Sequence, residues 1–180
     1  VREGIDPFVT TLEYAIILEP KLRHHIRGNK GYLRIPFLTE STPSAIKSAI
    51  NDFMYQMGDN FGGLVIDLRN TPGGSVEAGL AVADLFLQDK TIASIRGREG
   101  NVIEEFLAGP VDIIDSRPMV LITNQGTAGP AELIAAALKD SGRAIILGTK
   151  TFGMGSKQSL IPLGEAGFVN LTTGYFFSPL

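Results

Sequence analysis

Two stretches of this chain repeat one local plan. Leu64-Val65-Ile66-Asp67-Leu68 is a short apolar run that passes through Arg69-Asn70-Thr71-Pro72-Gly73-Gly74-Ser75 into a helical pattern, Val76 to Leu87. Met119-Val120-Leu121-Ile122-Thr123 passes through Asn124-Gln125-Gly126-Thr127-Ala128-Gly129 into a second helical pattern that ends near Lys139-Asp140. Runs this short and this apolar read as buried strands of the parallel type. A strand, a tight glycine loop and a helix in succession imply a crossover connection back to the same sheet. The repeat predicts an α/β domain with a mixed, largely parallel sheet and crossover helices. Its two glycine loops, and a third after the next strand, are expected to converge on one side.

The remaining segments fit around that plan. Gly31 to Phe37 alternates as a strand that Pro36 must end or confine to an edge, since proline cannot donate to a ladder. Ser41-Thr42-Pro43-Ser44 starts a helix, and Ile46, Ala49, Ile50, Phe53, Met54 and Met57 carry its spacing as far as Gly58. Ala144-Ile145-Ile146-Leu147 reads as a third buried strand, followed by the loop Gly148 to Gly155, and Phe168 to Phe177 as a final strand. Ahead of the core, Phe8 to Leu18 has an extended pattern stopped by Glu19-Pro20. The basic stretch His24 to Lys30 is the expected seam, with His24 and His25 as surface residues on a connecting segment. Beginning at Val1 and stopping at Leu180 within an apolar stretch, the chain reads as a piece of something longer, so location is left open.

Composition removes several chemistries. The chain has 180 residues, the size of one domain. With no cysteine there is no thiolate nucleophile, disulfide framework or Cys-ligated zinc. The two histidines are adjacent, leaving almost no material for a His-based metal site or a Ser-His-Asp triad. A net charge of -3, from 16 basic and 19 acidic residues, argues against nucleic-acid binding by phosphate neutralisation. No stretch approaches the roughly 20 apolar residues that cross a bilayer.

The glycine loops are where an open α/β sheet binds ligands. Pro72-Gly73-Gly74 offers bare backbone N–H groups before a helix, suited to an oxyanion or phosphate; a tight turn explains the same glycines. Gly148 to Gly153 has the Gly-x4-Gly spacing of a P-loop, but Met154 stands where the phosphate-binding lysine belongs, which speaks against a nucleotide.

Taken together the motifs are far more specific. Gly31-Tyr32-Leu33-Arg34-Ile35, Asp67 to Gly74, Ala83-Asp84-Leu85-Phe86-Leu87, Arg96-Gly97-Arg98, Ala135 to Arg143 and Thr151-Phe152-Gly153 occur in the order seen in the C-terminal processing peptidases, or tail-specific serine proteases. The chain resembles that family from about Thr10 to Pro179. The resemblance implies a ClpP/crotonase-like core over residues 28–180. It also implies that residues 1–27 are a segment leaving a PDZ-like domain. It further implies peptide substrates, no cofactor, and work in the periplasm, the cell envelope or the chloroplast lumen.

In that family a serine is acylated, a lysine serves as its base, and two backbone amides hold the oxyanion. Lysine can act so only when its pKa is pulled down. The family's Gly-[Ser/Thr]-Ala-Ser-Ala-Ser-Glu is here Gly126-Thr127-Ala128-Gly129-Pro130-Ala131-Glu132, so Gly129 takes the nucleophile position. Pro130 takes the position of an oxyanion donor and has no N–H. The family's Thr-Phe-Gly-Lys-Gly is here Thr151 to Gly155, which puts Met154 at the base. Gly73, Gly74, Asp140 and Gln158 keep the family's residues. Losing an oxyanion donor costs about 3 kcal/mol of transition-state stabilisation. Losing nucleophile or base costs on the order of a million-fold in rate.

The expectation is therefore an inactive core that holds extended or C-terminal peptide segments, scaffolds a homo-oligomer or regulates an active relative. Two alternatives stand beside it: a peptidase with a recruited nucleophile, Thr127 or Ser156, and a binder of small apolar ligands on the same fold. The dull readings are that Thr127 bonds backbone and that Lys150 and Lys157 are solvated. A lysine placed at 154 is expected to meet apolar surroundings.

Overall fold

A computed structural model describes residues 20–164 and 167–180. The extended pattern expected over Phe8 to Leu18 lies outside them. Among the described residues, nine strands and three α-helices, with a short 3-10 helix at Gly58–Asn60, are arranged around two sheets. In chain order they are β1 (Arg23–Arg27), β2 (Lys30–Arg34), α1 (Thr42–Met57), β3 (Leu64–Asp67), α2 (Val76–Asp84), β4 (Thr91–Arg96) and β5 (Val102–Leu107). Then follow β6 (Met119–Thr123), α3 (Pro130–Asp140), β7 (Ile145–Gly148), β8 (Ser156–Pro162) and β9 (Phe168–Phe177).

The first sheet has the order β1-β2-β3-β6-β7, parallel except for β1. The strand–loop–helix repeat is its centre: β3 and β6 are neighbours, with Leu64 opposite Met119 and Asp67 opposite Ile122. Leu33, Ile66 and Leu121, alternate residues on adjacent strands, are fully buried in a core shared with Ile46 and Phe53 of α1, Val82 of α2 and Ile134 of α3. The intervening residues Tyr32, Val65 and Val120 face the other way and are half-buried. The helices thus cover one face of the sheet, and the glycine loops emerge from the carboxyl ends of β3, β6 and β7.

Four expectations need correction. The stretch His24 to Lys30 is a hairpin rather than a seam, because Ile26 alternates inward between basic residues and β1 pairs with β2 along its length. The run Ala144 to Leu147 is not a buried strand: β7 is the last in its sheet, leaving Ile145 71% and Leu147 61% exposed. The helix after β3 ends at Asp84, and the buried Leu85, Phe86 and Leu87 belong to the turn beyond it. The domain also has a second, antiparallel sheet, β5-β4-β9-β8, of which only β9 was expected. Its other strands hide their periodicity behind register shifts at Thr91/Ala93, Ile95/Arg96 and Lys157/Gln158. No helix among the described residues is long and apolar enough to cross a membrane.

Candidate functional site

The loop after β3 is fixed by a buried carboxylate at its root. Asp67 accepts bonds from the Tyr32 hydroxyl (2.5 Å), Arg69 Nε (3.0 Å), Arg69 Nη2 (2.7 Å) and the Arg69 amide (2.9 Å). Burial alone raises its pKa. The bonds from Arg69 and Tyr32 and the charge of Arg34 outweigh that and hold the carboxyl at about 2. Arg34 Nη1 continues the network to the carbonyls of Ile35 and Asp67 and to Thr71 Oγ1. Further on, Leu38 donates to the Gly73 carbonyl (3.3 Å) and accepts from the Ser75 amide (3.0 Å). Gly74, at φ +134°, lies so close to Leu38 that a Cβ there would overlap its carbonyl oxygen. Neither the Gly73 nor the Gly74 amide donates to a described residue, so both remain free for a ligand.

The loop after β6 is stitched to the first. Asn124 Oδ1 accepts from the Asn70 amide (2.9 Å), while its Nδ2 donates to Asn70 Oδ1 (3.0 Å). Thr127 is fully buried, donates to the Leu68 carbonyl (2.8 Å) and accepts from the Asn124 amide (3.1 Å). Its hydroxyl is spent on backbone, as the dull reading anticipated. The Ala128 amide donates to the Thr71 carbonyl (2.9 Å). These bonds set Gly129 at the N-terminus of α3 with φ +57° and ψ -120°. That conformation strains any residue with a side chain and is what a sharp strand-to-helix turn demands of its apex, here half-buried. Pro130 follows at the first helical position, its ring packed against Gly79 of α2.

Glu132 ties the third loop to this turn. Its Oε2 accepts from the amides of Gly129 (2.9 Å) and Met154 (2.8 Å), and its Oε1 from that of Gly153 (2.7 Å). One carboxylate thus satisfies three N–H groups and sets the two loops face to face. A Cβ on Gly129 would lie 3.9 Å from the Met154 sulfur. The motif quoted above contained Glu132, but its role was not legible because two of its donors lie 21 and 22 residues away.

All three loops open into one cavity of about 850 Å³ between the N-termini of α2 and α3 and the inner face of the second sheet. Gly73, Gly74, Gly129, Pro130, Met154 and Gln158 all line it. Its wall is apolar, with Leu80, Ile92, Ile95, Phe106, Leu133 and Phe176. Gln158 donates to Ser156 Oγ (3.0 Å) and Thr172 Oγ1 (2.7 Å). Ser156 and Lys157 reach the cavity too, but Lys157 Nζ is engaged by Glu104 (3.3 Å), so it is paired rather than simply solvated. Glu77 stands at the rim, held ionised below its ordinary range by the Ser75 hydroxyl. Asp140 is the exception among the expected positions: it ends α3, ten residues along an axis that rises about 1.5 Å per residue, well away from the cavity. The surroundings of Met154 also differ from expectation. Met154 lines the cavity yet is 49% exposed rather than enclosed.

The comparisons with known proteins converge on this arrangement. The model of peptidase family S41 matches residues 29–180. The chain belongs to that family. The carboxy-terminal-processing protease of Bartonella bacilliformis is 39% identical over 99% of this chain and 42% of its own length. The carboxyl-terminal-processing protease of Picosynechococcus sp. is 36% identical over 83% of this chain and 35% of its own. The solved structure of the photosystem II D1 C-terminal processing protease superposes with a TM-score of 0.78 at 32% identity, over 83% of this chain and 38% of that one. The chain therefore spans less than half the length of these relatives.

Proposed function

We propose that this chain is the core of a C-terminal processing protease homologue that has lost its catalytic pair and holds extended peptide without cutting it. The observation that carries this reading is the pairing of Gly129 with Met154. The backbone at 129 keeps the turn that would present a nucleophile, and position 154 faces it at side-chain distance, yet neither residue has an atom that can attack or take a proton. Gly73 and Gly74 still offer amides for a substrate carbonyl, while Pro130 offers none. An open apolar cavity favours ligand holding over mere scaffolding. The curated relatives act on protein C-termini by name, and the same class of extended peptide suits this groove. We propose a periplasmic or cell-envelope location as well, which fractionation of its source cells would check.

The test is cleavage of unstructured polypeptides with apolar C-termini by the purified protein, against a buffer control. No cleavage, together with measurable retention of intact peptide, is the expected result. Ser156 is the one hydroxyl among the candidates that faces the cavity. Turnover abolished by Ser156→Ala would therefore overturn the inactive reading in favour of a recruited nucleophile.

A further inference from the structure

At the α3 end of the cavity the usual preference of a helix N-terminus for anions is already satisfied from within. Gly129 donates its amide to Glu132, Pro130 has none, and the Ala131 amide turns back to the Ala128 carbonyl (3.3 Å). The same carboxylate takes the amides of Gly153 and Met154. Four backbone positions facing the cavity thus have no donor left, and the fixed charge among them is negative. On the opposite rim stand Glu77 and Glu104, with Lys157 as the cation of the cavity lining, itself spent on Glu104. Three carboxylates against one ammonium surround a wall that is otherwise apolar.

From this we infer that the cavity selects an internal, apolar peptide segment flanked by basic residues and rejects a free C-terminal carboxylate, an inference that rests on the peptide-holding reading above. A terminal carboxylate seated beside Gly129 would approach Glu132 with no amide of that turn to receive it, the free Gly73 and Gly74 amides being taken by a backbone carbonyl of the held segment, and like charges brought together in a partly desolvated cleft repel. A mid-chain leucine or phenylalanine fills the wall without that conflict, and lysine or arginine beside it meets Glu77 and Glu104 at the rim. Rim charges act through solvent, so the selectivity is moderate and salt-sensitive.

Titration calorimetry with a matched peptide set tests this. Each peptide carries one leucine anchor flanked by lysine, glutamine or glutamate, in amide-capped form, with a parallel series ending in leucine as free acid or amide. At about 50 mM salt the lysine-flanked peptide should bind on the order of fivefold tighter than the glutamate-flanked one, and the gap should narrow at about 0.5 M salt. The terminal amide should bind more tightly than the free acid. Glu77→Gln with Glu104→Gln should bring the lysine-to-glutamate ratio close to one; the peptide series on the unaltered protein stands even if that variant fails to fold. Equal or tighter binding of the glutamate-flanked or free-acid peptides overturns the inference while leaving peptide holding intact. Absence of binding by every peptide overturns both.

Discussion

Replacing Gly129 by serine separates the backbone cost of a nucleophile from its steric cost. A Cβ at this site meets nothing closer than the Met154 sulfur at 3.9 Å, an ordinary contact, so no repacking is needed. The cost lies in the backbone: φ +57° with ψ -120° is sparsely populated by residues with side chains and costs about 1–3 kcal/mol. Restricting the unfolded chain by removing a glycine returns about 0.4–1 kcal/mol. The net loss for Gly129→Ser should be about 0.5–2 kcal/mol, which for a chain of this size is a fall in Tm of roughly 2–6 °C. Gly74→Ala is the contrast, since its Cβ would overlap the Leu38 carbonyl in a loop held at both ends. That variant should lose more than about 3 kcal/mol. Differential scanning calorimetry on the two variants, with far-UV circular dichroism to confirm folding, makes the comparison. A Gly129→Ser protein that fails to fold, or a Gly74→Ala protein as stable as the unaltered one, would refute the account of both loops.

The triple variant Gly129→Ser, Pro130→Ala, Met154→Lys should react with a serine-directed acylating probe while each single variant stays inert, because nucleophile and base act as a unit. With position 154 half-exposed, the new lysine keeps a pKa near its ordinary value of about 10.4, so labelling should rise steeply between about pH 7 and 10; a flat profile would show a strongly depressed lysine instead. Asp67 should contribute on the order of 2 kcal/mol of stability above its unfolded pKa of 3.8, lost as pH falls through its folded value of about 2. Asp67→Asn should flatten that acid limb in urea titrations, and an unchanged limb would contradict the assigned network. Glu132→Gln should cost about 1–3 kcal/mol and speed amide exchange first at Gly153 and Met154, whereas uniform change along the chain would point away from a loop clamp.

What the sequence disclosed was whatever a short window contains. The neighbouring strands β3 and β6, the start of α1 at Ser41 and the convergence of three glycine loops all follow from local runs and local breakers. The second sheet was hidden because its pairings are distant: β4 joins β9 through Ser94 opposite Phe177, and its strands carry Glu104-Glu105 and Lys157-Gln158-Ser159 on partly open faces. Ile145 to Leu147 shows the converse error, since an apolar run does not reveal whether another strand lies beside it. Within the site, residue types could be matched to a family's motif one by one, but the clamp made by Glu132 required knowing which amides meet across two loops.

On the proposed reading, the interactions that shape the cavity also explain how catalysis could be lost while the fold stayed intact. Asp67 with Arg69 and Tyr32, Asn70 with Asn124, Thr127 with the Leu68 carbonyl and Glu132 with three amides together hold every loop that lines it. None of these contacts uses a side chain at 129 or 154. A serine at 129 would carry backbone strain of about 1–3 kcal/mol that glycine does not, so its loss is a gain in stability unless turnover is needed. Pro130 likewise fits the first helical position, where the N–H it lacks has no helical partner to lose. At half-exposed position 154 a lysine would keep much of its hydration, so methionine there relaxes no comparable cost. On the proposed reading, the departures at 129 and 130 each relax a cost that only catalysis justifies, and what remains serves as a binding groove.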